Sequence, residues 1–407
     1  MATLTPAEPR ERMVVLDVLR GLALLGVLLG NTQRLYSGMF AGTLQGYQMT
    51  ELDIAASWFI ALLIQSKAQT LLTFLFGFGF AAQLLRARER GEPVIGMYVR
   101  RLLAMLAFGM LHIGLVWWGD VLWTYAVAGF VLLAFHRVSN RTRVIAAALL
   151  VFVPGAIMSL PGMWARASSL LYPSDAWPIY TRDLLAAMRG DDHGELLWQQ
   201  IRFFPLFSAA GIYSYQPWLV GRFLLGQVAG SLRWFDRDGA DHLAVFKRIL
   251  FWGGFLGAAG LVFSVFQVLG LTRSAEQTVV REILLSVFRE LNYLGLAAFY
   301  LSATVLMFQR GRWRQLLSAV APAGQMPLTV YISQSVIMTF LLYGWGLGWN
   351  DWLSPAGYVG LSFAVFAVQV LACTLWLRSF RFGPLEWLWR AVVYWRFPPM
   401  RLSVTRT

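Results

Sequence analysis

The sequence predicts an all-α protein, a polytopic membrane helix bundle of about ten transmembrane helices with both termini in the cytoplasm. Three observations carry that prediction. Of the 407 residues, 58% are hydrophobic and only 14% charged, and the mean hydropathy of +0.58 is far above that of a soluble chain. Apolar runs near the ~20 residues that a hydrocarbon core about 30 Å thick requires recur along the whole length. Between these runs the basic residues, all arginine except Lys67 and Lys247, alternate between dense and sparse segments, as they do when dense loops stay inside.

The first span is placed at Val14–Gln33. Asp17 and Arg20 interrupt it and no small-residue cleavage site follows Asn31, so it reads as an uncleaved span and not a secretory signal. The run Ile54–Ile64 is too short to cross and is followed by Gln65-Ser66-Lys67-Ala68-Gln69. Residues 54–64 therefore read as an outer interfacial or re-entrant helix, because a crossing there would put Arg86, Arg88 and Arg90 outside. Spans two and three, Gln69–Leu85 and Val99–Trp118, flank an inner turn with Arg86, Arg88, Arg90, Arg100 and Arg101. The fourth and fifth, Val121–Phe135 and Val144–Met163, enclose Arg137, Arg141 and Arg143 on the same side.

An outer segment, residues 164–215, follows with Trp164, Tyr172, Trp177, Tyr180, Trp198, Phe203 and Phe204. Two amphipathic stretches, Pro178–Met188 and Glu195–Phe204, would lie in the interface, roofing a cavity or forming an aromatic belt without a ligand. Span six, Gln216–Leu232, leads to inner Arg233, Arg237, Lys247 and Arg248. Spans seven and eight, Leu250–Leu271 and Leu291–Phe308, lead to inner Arg310, Arg312 and Arg314, and Leu317–Leu342 and Ala356–Leu377 complete the set. Outside remain only Arg34, Lys67, Arg166, Arg182, Arg189, Arg202, Arg273, Arg281 and Arg289, with Arg222 inside a span. Residues 1–378 thus form a single transmembrane domain and 379–407 a cytoplasmic amphipathic tail that adds further arginines, Arg406 the last of them. The expected location is the inner (plasma) membrane, crossed many times.

Composition also excludes function classes. The net charge of +13 is scattered between apolar runs, so it reads as topology and no nucleic-acid partner is expected. A single cysteine, Cys373, rules out a disulfide framework, a cysteine-ligated zinc and an iron–sulfur cluster, and no metal is expected. Gly77-Phe78-Gly79 lies within a span and is no phosphate loop. Gly26-x3-Gly30 and Gly226-x3-Gly230 offer close helix contacts. No internal repeat is visible, which weighs against a transporter built of inverted halves. Membrane lipids are necessary partners, and a homo-oligomer is left open.

A charged group at a helix centre costs about 2.5–3.5 kcal/mol on insertion scales, so each such residue is a candidate for function. His112 lies six residues before Trp118, about 9 Å below the outer edge. It is either a base or a histidine bonded to a backbone carbonyl. Asp120, eight residues on, is either its partner or the N-cap of the fourth span, and a straight helix would separate the two by about 12 Å. Arg222 lies at a similar depth and is an anion clamp or a snorkelling residue. Gln334, Asn31, Asn292 and Gln69 share that outer half and would make a polar chamber. Near the inner face Asp17 and Arg20 are spaced to pair on one helix face. Alternatively Arg20, Arg100 and Arg101 present positive charge to a phosphate-bearing donor.

These residues carry a resemblance. The run Leu16-Asp17-Val18-Leu19-Arg20-Gly21-Leu22 with Asn31, the segment 67–79, and Leu111-His112 through Gly119-Asp120-Val121-Leu122 are similar to the YeiB family of multi-span bacterial membrane proteins. So are Gly324-Gln325-Met326-Pro327-Leu328-Thr329 with Tyr331 and Gln334-Ser335, and the tail Phe380-Arg381-Phe382-Gly383-Pro384-Leu385-Glu386-Trp387. Pro327 departs from the family pattern and is expected to kink the ninth span. The first span further resembles transmembrane acyltransferases of the heparan glucosaminide N-acetyltransferase and O-acetylase type. That resemblance implies transfer of an acyl group from cytoplasmic acyl-CoA to a small-molecule or glycan acceptor across the membrane, through an intramembrane histidine. Only His112 matches that role, although its surroundings do not reproduce theirs. On this reading His112 and Asp120 are catalytic, Arg222, Gln334 and Asn31 bind substrate, and Arg20, Arg100 and Arg101 bind the donor. The rival reading is a non-enzymatic protein that binds or transports a lipid, a quinone or a small solute.

Overall fold

The computed structural model describes residues 13–402 apart from 38–47, 90–93, 161, 164–165, 167–168, 170–171, 174–175, 213–214 and 269–277. Both chain ends, Arg10, Arg12, Arg90, Trp164, Arg273 and Arg406, which enter the topology expectation, lie outside the described residues. Among the described residues there is no strand. The chain runs through α1 (Val14–Asn31), α2 (Glu51–Phe59), α3 (Lys67–Glu89), α4 (Val94–Leu115), α5 (Leu122–Ala134), α6 (Asn140–Met158), α7 (Ala176–Arg189), α8 (His193–Ile212) and α9 (Tyr215–Ser231). It continues through α10 (Leu243–Val268), α11 (Val279–Phe308), α12 (Gly311–Ser318), α13 (Ala321–Gln325), α14 (Pro327–Leu342), α15 (Pro355–Trp376) and α16 (Pro384–Tyr394).

Seven helical segments among the described residues are long and apolar enough to cross a membrane: α1, the α2–α3 segment, α4, α6, α10, α11 and α15. The apolar helices α5 and α14 are shorter. The protein is therefore an all-α membrane-type bundle. Residues 54–64 fall in α2 and the π-helical turn Ile60–Ile64 that continues it. Thr50 and Asp53 close a capping box at the start of α2. Ser66, with φ of 66°, bends the chain into α3. The stretch Leu317–Leu342 is not one kinked helix but three pieces, since Met326 leaves helical geometry (φ −121°, ψ 50°) and Pro327 opens α14. A proline at a first helical position needs no N–H partner, so a break there is less costly than a kink.

Helix α9 occupies the centre, buried along almost its whole length. It packs on α3, α6 and α5. Gly77 of α3 and Gly226 of α9 permit the approach, because a Cβ at either would overlap the facing backbone of Phe223 or Phe74. Helices α10 and α11 pair along their length and turn Phe251, Trp252 and Phe255 outward, where only lipid would cover such an apolar face. The alternation of basic segments sets an expected topology. Tags at residue 2 and after Thr407 should both resist protease added outside, and a cleavage site inserted near Asp192 should be cut; digestion of either terminus would overturn it.

Candidate functional site

His112 and Asp120 are in contact. Helix α4 stops at Leu115 because Val116 and Trp117 both donate their backbone N–H to the His112 carbonyl, at 2.9 and 2.8 Å. The chain then reverses through Trp117, Trp118 and Gly119, and Asp120 returns alongside α4. Its Oδ2 sits 2.8 Å from His112 Nδ1, where a straight helix would have left the two about 12 Å apart along its axis. Gly109 makes the room, since a Cβ there would meet the Asp120 carboxylate and the backbone of Trp123. The other oxygen, Oδ1, accepts the Trp123 N–H at 3.0 Å and so steadies the first turn of α5. Asp120 thus holds both roles that its sequence position allowed.

Aromatic side chains line the pair. The side chains of His112 and Asp120 are 1% and 0% exposed. Tyr331 of α14 lies 5.5 Å from the imidazole, ring to ring. Its hydroxyl accepts the Val121 N–H at 3.1 Å and reaches Asp120 Oδ2 at 3.5 Å. Trp117 stands edge-on to His112 and stacks on Tyr36 at 4.1 Å, and Tyr36 donates to Ser335 at 2.9 Å. Over the turn lies the outer segment: Gln200 of α8 accepts the Trp118 N–H at 2.8 Å, and Phe203 and Phe207 meet the Trp118 ring edge-on. Helix α8 therefore covers this site. A carboxylate can only accept, so Nδ1 donates to Asp120, and in the neutral ring the lone pair is then on the other nitrogen, Nε2. Nε2 is buried and has no hydrogen-bond partner among the described residues.

Arg222 answers to a different partner from the one its sequence implied. It is fully buried and its guanidinium reaches Glu290 Oε2 at 2.7 Å, Thr70 Oγ1 at 3.0 Å and the Trp218 carbonyl at 3.4 Å. It also lies 3.2 Å from the Trp218 ring centre, and the Trp218 indole N–H donates to the same Glu290 oxygen at 3.0 Å. The charge is met inside the protein, so an anion clamp open to the outside gives way to a closed ion pair. Glu290 was missed because α11 begins well before the apolar run Leu291–Phe308 that marks it in sequence. Helical spacing would have revealed it, since Ser286, Glu290 and Ala297 fall on one buried stripe. Lys67 likewise is not in an outer loop but 1% exposed, donating to the Ala61 carbonyl at 3.2 Å beneath the Tyr293 ring.

Residues of α3 tie the Arg222 centre to α9 and α5. Gln69 donates to Tyr215, Thr70 binds Arg222, and Thr73 shares a 2.9 Å hydrogen bond with Tyr125 of α5. Gln334 is engaged elsewhere, donating to Gln369 at 3.2 Å. Asn31 ends α1 and is half-buried. Asn292 bonds the Gly257 carbonyl, a helix-to-helix contact.

At the other end of α4, Arg100 donates to the Val393 carbonyl of α16 at 3.1 Å, and Arg101 faces Trp389 of α16 at 4.9 Å. Arg20 pairs with Asp17 at 2.9 Å. Helix α16 is anchored by Glu386, whose carboxylate accepts the Leu328 and Thr329 N–H groups at 2.7 and 3.0 Å and the Thr329 hydroxyl at 2.6 Å. It thereby caps α14, the helix of Tyr331. Removing it by Glu386→Ala should cost about 1–3 kcal/mol, the penalty of orphaned donors, and should expose the tail to limited proteolysis. Burial raises the Glu386 carboxyl above the ordinary range, with the hydrogen bonds from Thr329 and Leu328 opposing. The part of tail docking that this titration supplies is then present below the ordinary carboxylate pKa and fades as pH rises through the raised value. Glu386→Gln should remove that pH dependence.

No group of three or more His, Cys, Asp or Glu side chains among the described residues is arranged to hold a metal. Residues 229–396 match the family model described as Protein of unknown function (DUF418). The chain is 32% identical to the uncharacterized protein YxaH of Bacillus subtilis (strain 168), over 98% of both chains. It is 26% identical to an uncharacterized 39.9 kDa protein in the amylase 3' region of Bacillus acidopullulyticus, over 98% of each. With the uncharacterized protein YeiB of Escherichia coli (strain K12) it shares 27% identity over 93% of this chain and 96% of YeiB.

Proposed function

This chain belongs to the YeiB-like DUF418 family of membrane proteins, and on that premise we propose that it is a transmembrane acyltransferase of the inner membrane. The donor is cytoplasmic acyl-CoA and the acceptor an extracytoplasmic small molecule or glycan. One observation carries the proposal: a buried imidazole oriented through Nδ1 by a carboxylate, with Nε2 unpartnered, on the same helix that holds two arginines at its opposite end. A general base needs that arrangement of a fixed tautomer and a free lone pair.

The chemistry balances without a metal or redox partner. Nε2 takes the proton from an acceptor hydroxyl or amine as its heteroatom attacks the thioester carbonyl. The carbon–sulfur bond breaks, and the imidazolium, held by Asp120, returns the proton to the departing thiolate. Arg100, Arg101 and Arg20 would hold the donor phosphates. Arg101 and His112 are separated by eleven residues, about 16 Å of helix, so a flexible arm on the donor must span that depth. Tyr331 and the indoles of Trp117 and Trp118 would exclude water from the reacting atoms.

The test is transfer of label from acyl-CoA supplied at the inner face of membrane vesicles. Wild-type protein should transfer it, His112→Ala should abolish transfer while remaining folded, and His112→Gln should not rescue. Full activity in His112→Ala would remove the enzyme reading.

A non-enzymatic lipid-binding role is favoured by one feature. An apolar groove of about 260 Å³ opens sideways between α6 and α11, lined by Phe152, Val153, Ala156, Ile157, Ile283 and Val287. It suits a lipid tail, and its lining includes no residue of the His112 site.

A further inference from the structure

We infer that the tail helix α16 completes a phosphate-binding site at the inner ends of α1 and α4, with Arg101 as principal donor and Arg20 and Arg390 as flanking charges. The inference rests on the proposed donor role for the identity of the natural ligand, but not for phosphate binding itself.

Arg101, half-buried, differs from Arg143 and Arg222, the buried arginines among the described residues. Arg143 donates to the Phe135 and His136 carbonyls and to the side chains of Asn140 and Ser231. Arg222 has Glu290, Thr70 and Trp218. Both are engaged as structural guanidinium groups are, because burying such a charge without acceptors is costly. In Arg101, Nε and Nη1 are buried and lack any hydrogen-bond partner among the described residues. Three rings surround it instead: Trp389 at 4.9 Å, Phe76 at 5.8 Å and Tyr98 at 5.9 Å. Aromatic rings attract a guanidinium through their π surface and leave its N–H edge unspent.

Among the described residues, Arg20 and Arg390, both cations, lie within electrostatic range of Arg101, as do the hydroxyls of Tyr98 and Tyr394. No ion pair joins Arg101 to a carboxylate among the described residues. Three guanidinium groups on three helices, one with an unsatisfied edge, form a site whose missing component is an anion with several acceptor oxygens. Phosphate matches that fork geometry. The tail is an integral wall, since Trp389 covers Arg101, the Val393 carbonyl fixes Arg100, and Glu386 ties the helix to α14. Two sources would supply the same chemistry, a soluble diphosphate ester such as coenzyme A or the headgroup of an anionic lipid.

The full chain, purified in detergent and in nanodiscs, is titrated with pyrophosphate and with unacylated coenzyme A, reading equilibrium binding and the thermal unfolding midpoint. Parallel nanodiscs of phosphatidylglycerol and of phosphatidylcholine test the lipid source. Wild type should bind coenzyme A and pyrophosphate and unfold at higher temperature with either. Arg101→Met should weaken binding roughly tenfold or more, the scale of a lost charge-assisted fork, while its ligand-free midpoint stays level or rises. Arg390→Gln should also weaken binding. A response to phosphatidylglycerol alone would keep the phosphate site and detach it from the acyl donor. Phosphate binding without acyl transfer would likewise support the site and defeat the enzyme reading. A wild type indifferent to every phosphate probe would overturn the inference, as would an Arg101→Met protein that is destabilised yet responds to phosphate normally.

Discussion

Glu290→Ala is expected to destabilise the protein by roughly 3–5 kcal/mol, the cost of leaving one member of a buried ion pair uncompensated. Among the described residues the carboxylate is the sole acid bonded to Arg222, which is fully buried in α9, and it also accepts the Trp218 indole N–H. Its loss strands a guanidinium at the centre of the bundle, where α9 has no route to solvent, together with one indole donor. Thermal unfolding in detergent should show a large drop in midpoint. Arg222→Met alone should behave similarly, because it strands the carboxylate. The double variant Arg222→Met, Glu290→Leu should recover most of the loss, since a buried pair replaced by apolar groups of similar volume is often neutral. Additive losses in the double variant would mean that the two side chains act separately. Equal stability in all three would make the contact incidental.

How much of this was legible in the sequence depends on the range of the interaction concerned. Seven of the ten expected spans, those of α1, α3, α4, α6, α10, α11 and α15, were legible because a helix long enough to cross lipid announces itself locally by apolar length, whereas α5, α9 and α14 are shorter. The amphipathic stretches Pro178–Met188 and Glu195–Phe204 fall in α7 and α8, and their helical periodicity made them legible. The break before Pro327 was half legible: proline marked the place, but whether a chain kinks or stops there depends on its neighbours, here Glu386 capping the new helix start. Glu386 is 58 residues away from Leu328 in sequence, and no local pattern joins them.

The candidate site divides the same way. His112 stood out as a lone ionisable group in a span. Its distance from Asp120 did not, because helix rise describes a helix that continues, and α4 ends on the His112 carbonyl. The Trp-Trp-Gly-Asp turn was available as a stop signal, with Gly119 followed by a capping residue. Glu290 was not singled out, and Lys67 was counted only among the outer basic residues, because apolar runs underestimate helices whose buried stripe includes a charge. For Glu290 the partner that makes the charge tolerable comes from a distant helix, Arg222 of α9, whereas Lys67 meets the Ala61 carbonyl six residues earlier and only its ring partner, Tyr293, is distant.

Asp120→Asn is expected to leave the fold intact and lower acyl transfer roughly 10²–10⁴-fold, the usual contribution of a positioned general base. Asparagine can keep its carbonyl oxygen on the Trp123 N–H, preserving the first turn of α5. Its amide then faces His112 Nδ1 as a donor where the carboxylate was an acceptor. Nδ1 must accept, the ring proton moves to Nε2, and the nitrogen that should remove the acceptor's proton no longer has a lone pair. Asp120→Ala loses both functions and should lower the unfolding midpoint as well as the rate. The two variants therefore separate catalysis from capping. If Asp120→Asn transfers label like wild type while Asp120→Ala unfolds easily, Asp120 is only a cap and His112 is not the base. If both fall in rate but only Ala falls in stability, the 2.8 Å contact between His112 and Asp120 sets the tautomer on which the chemistry depends.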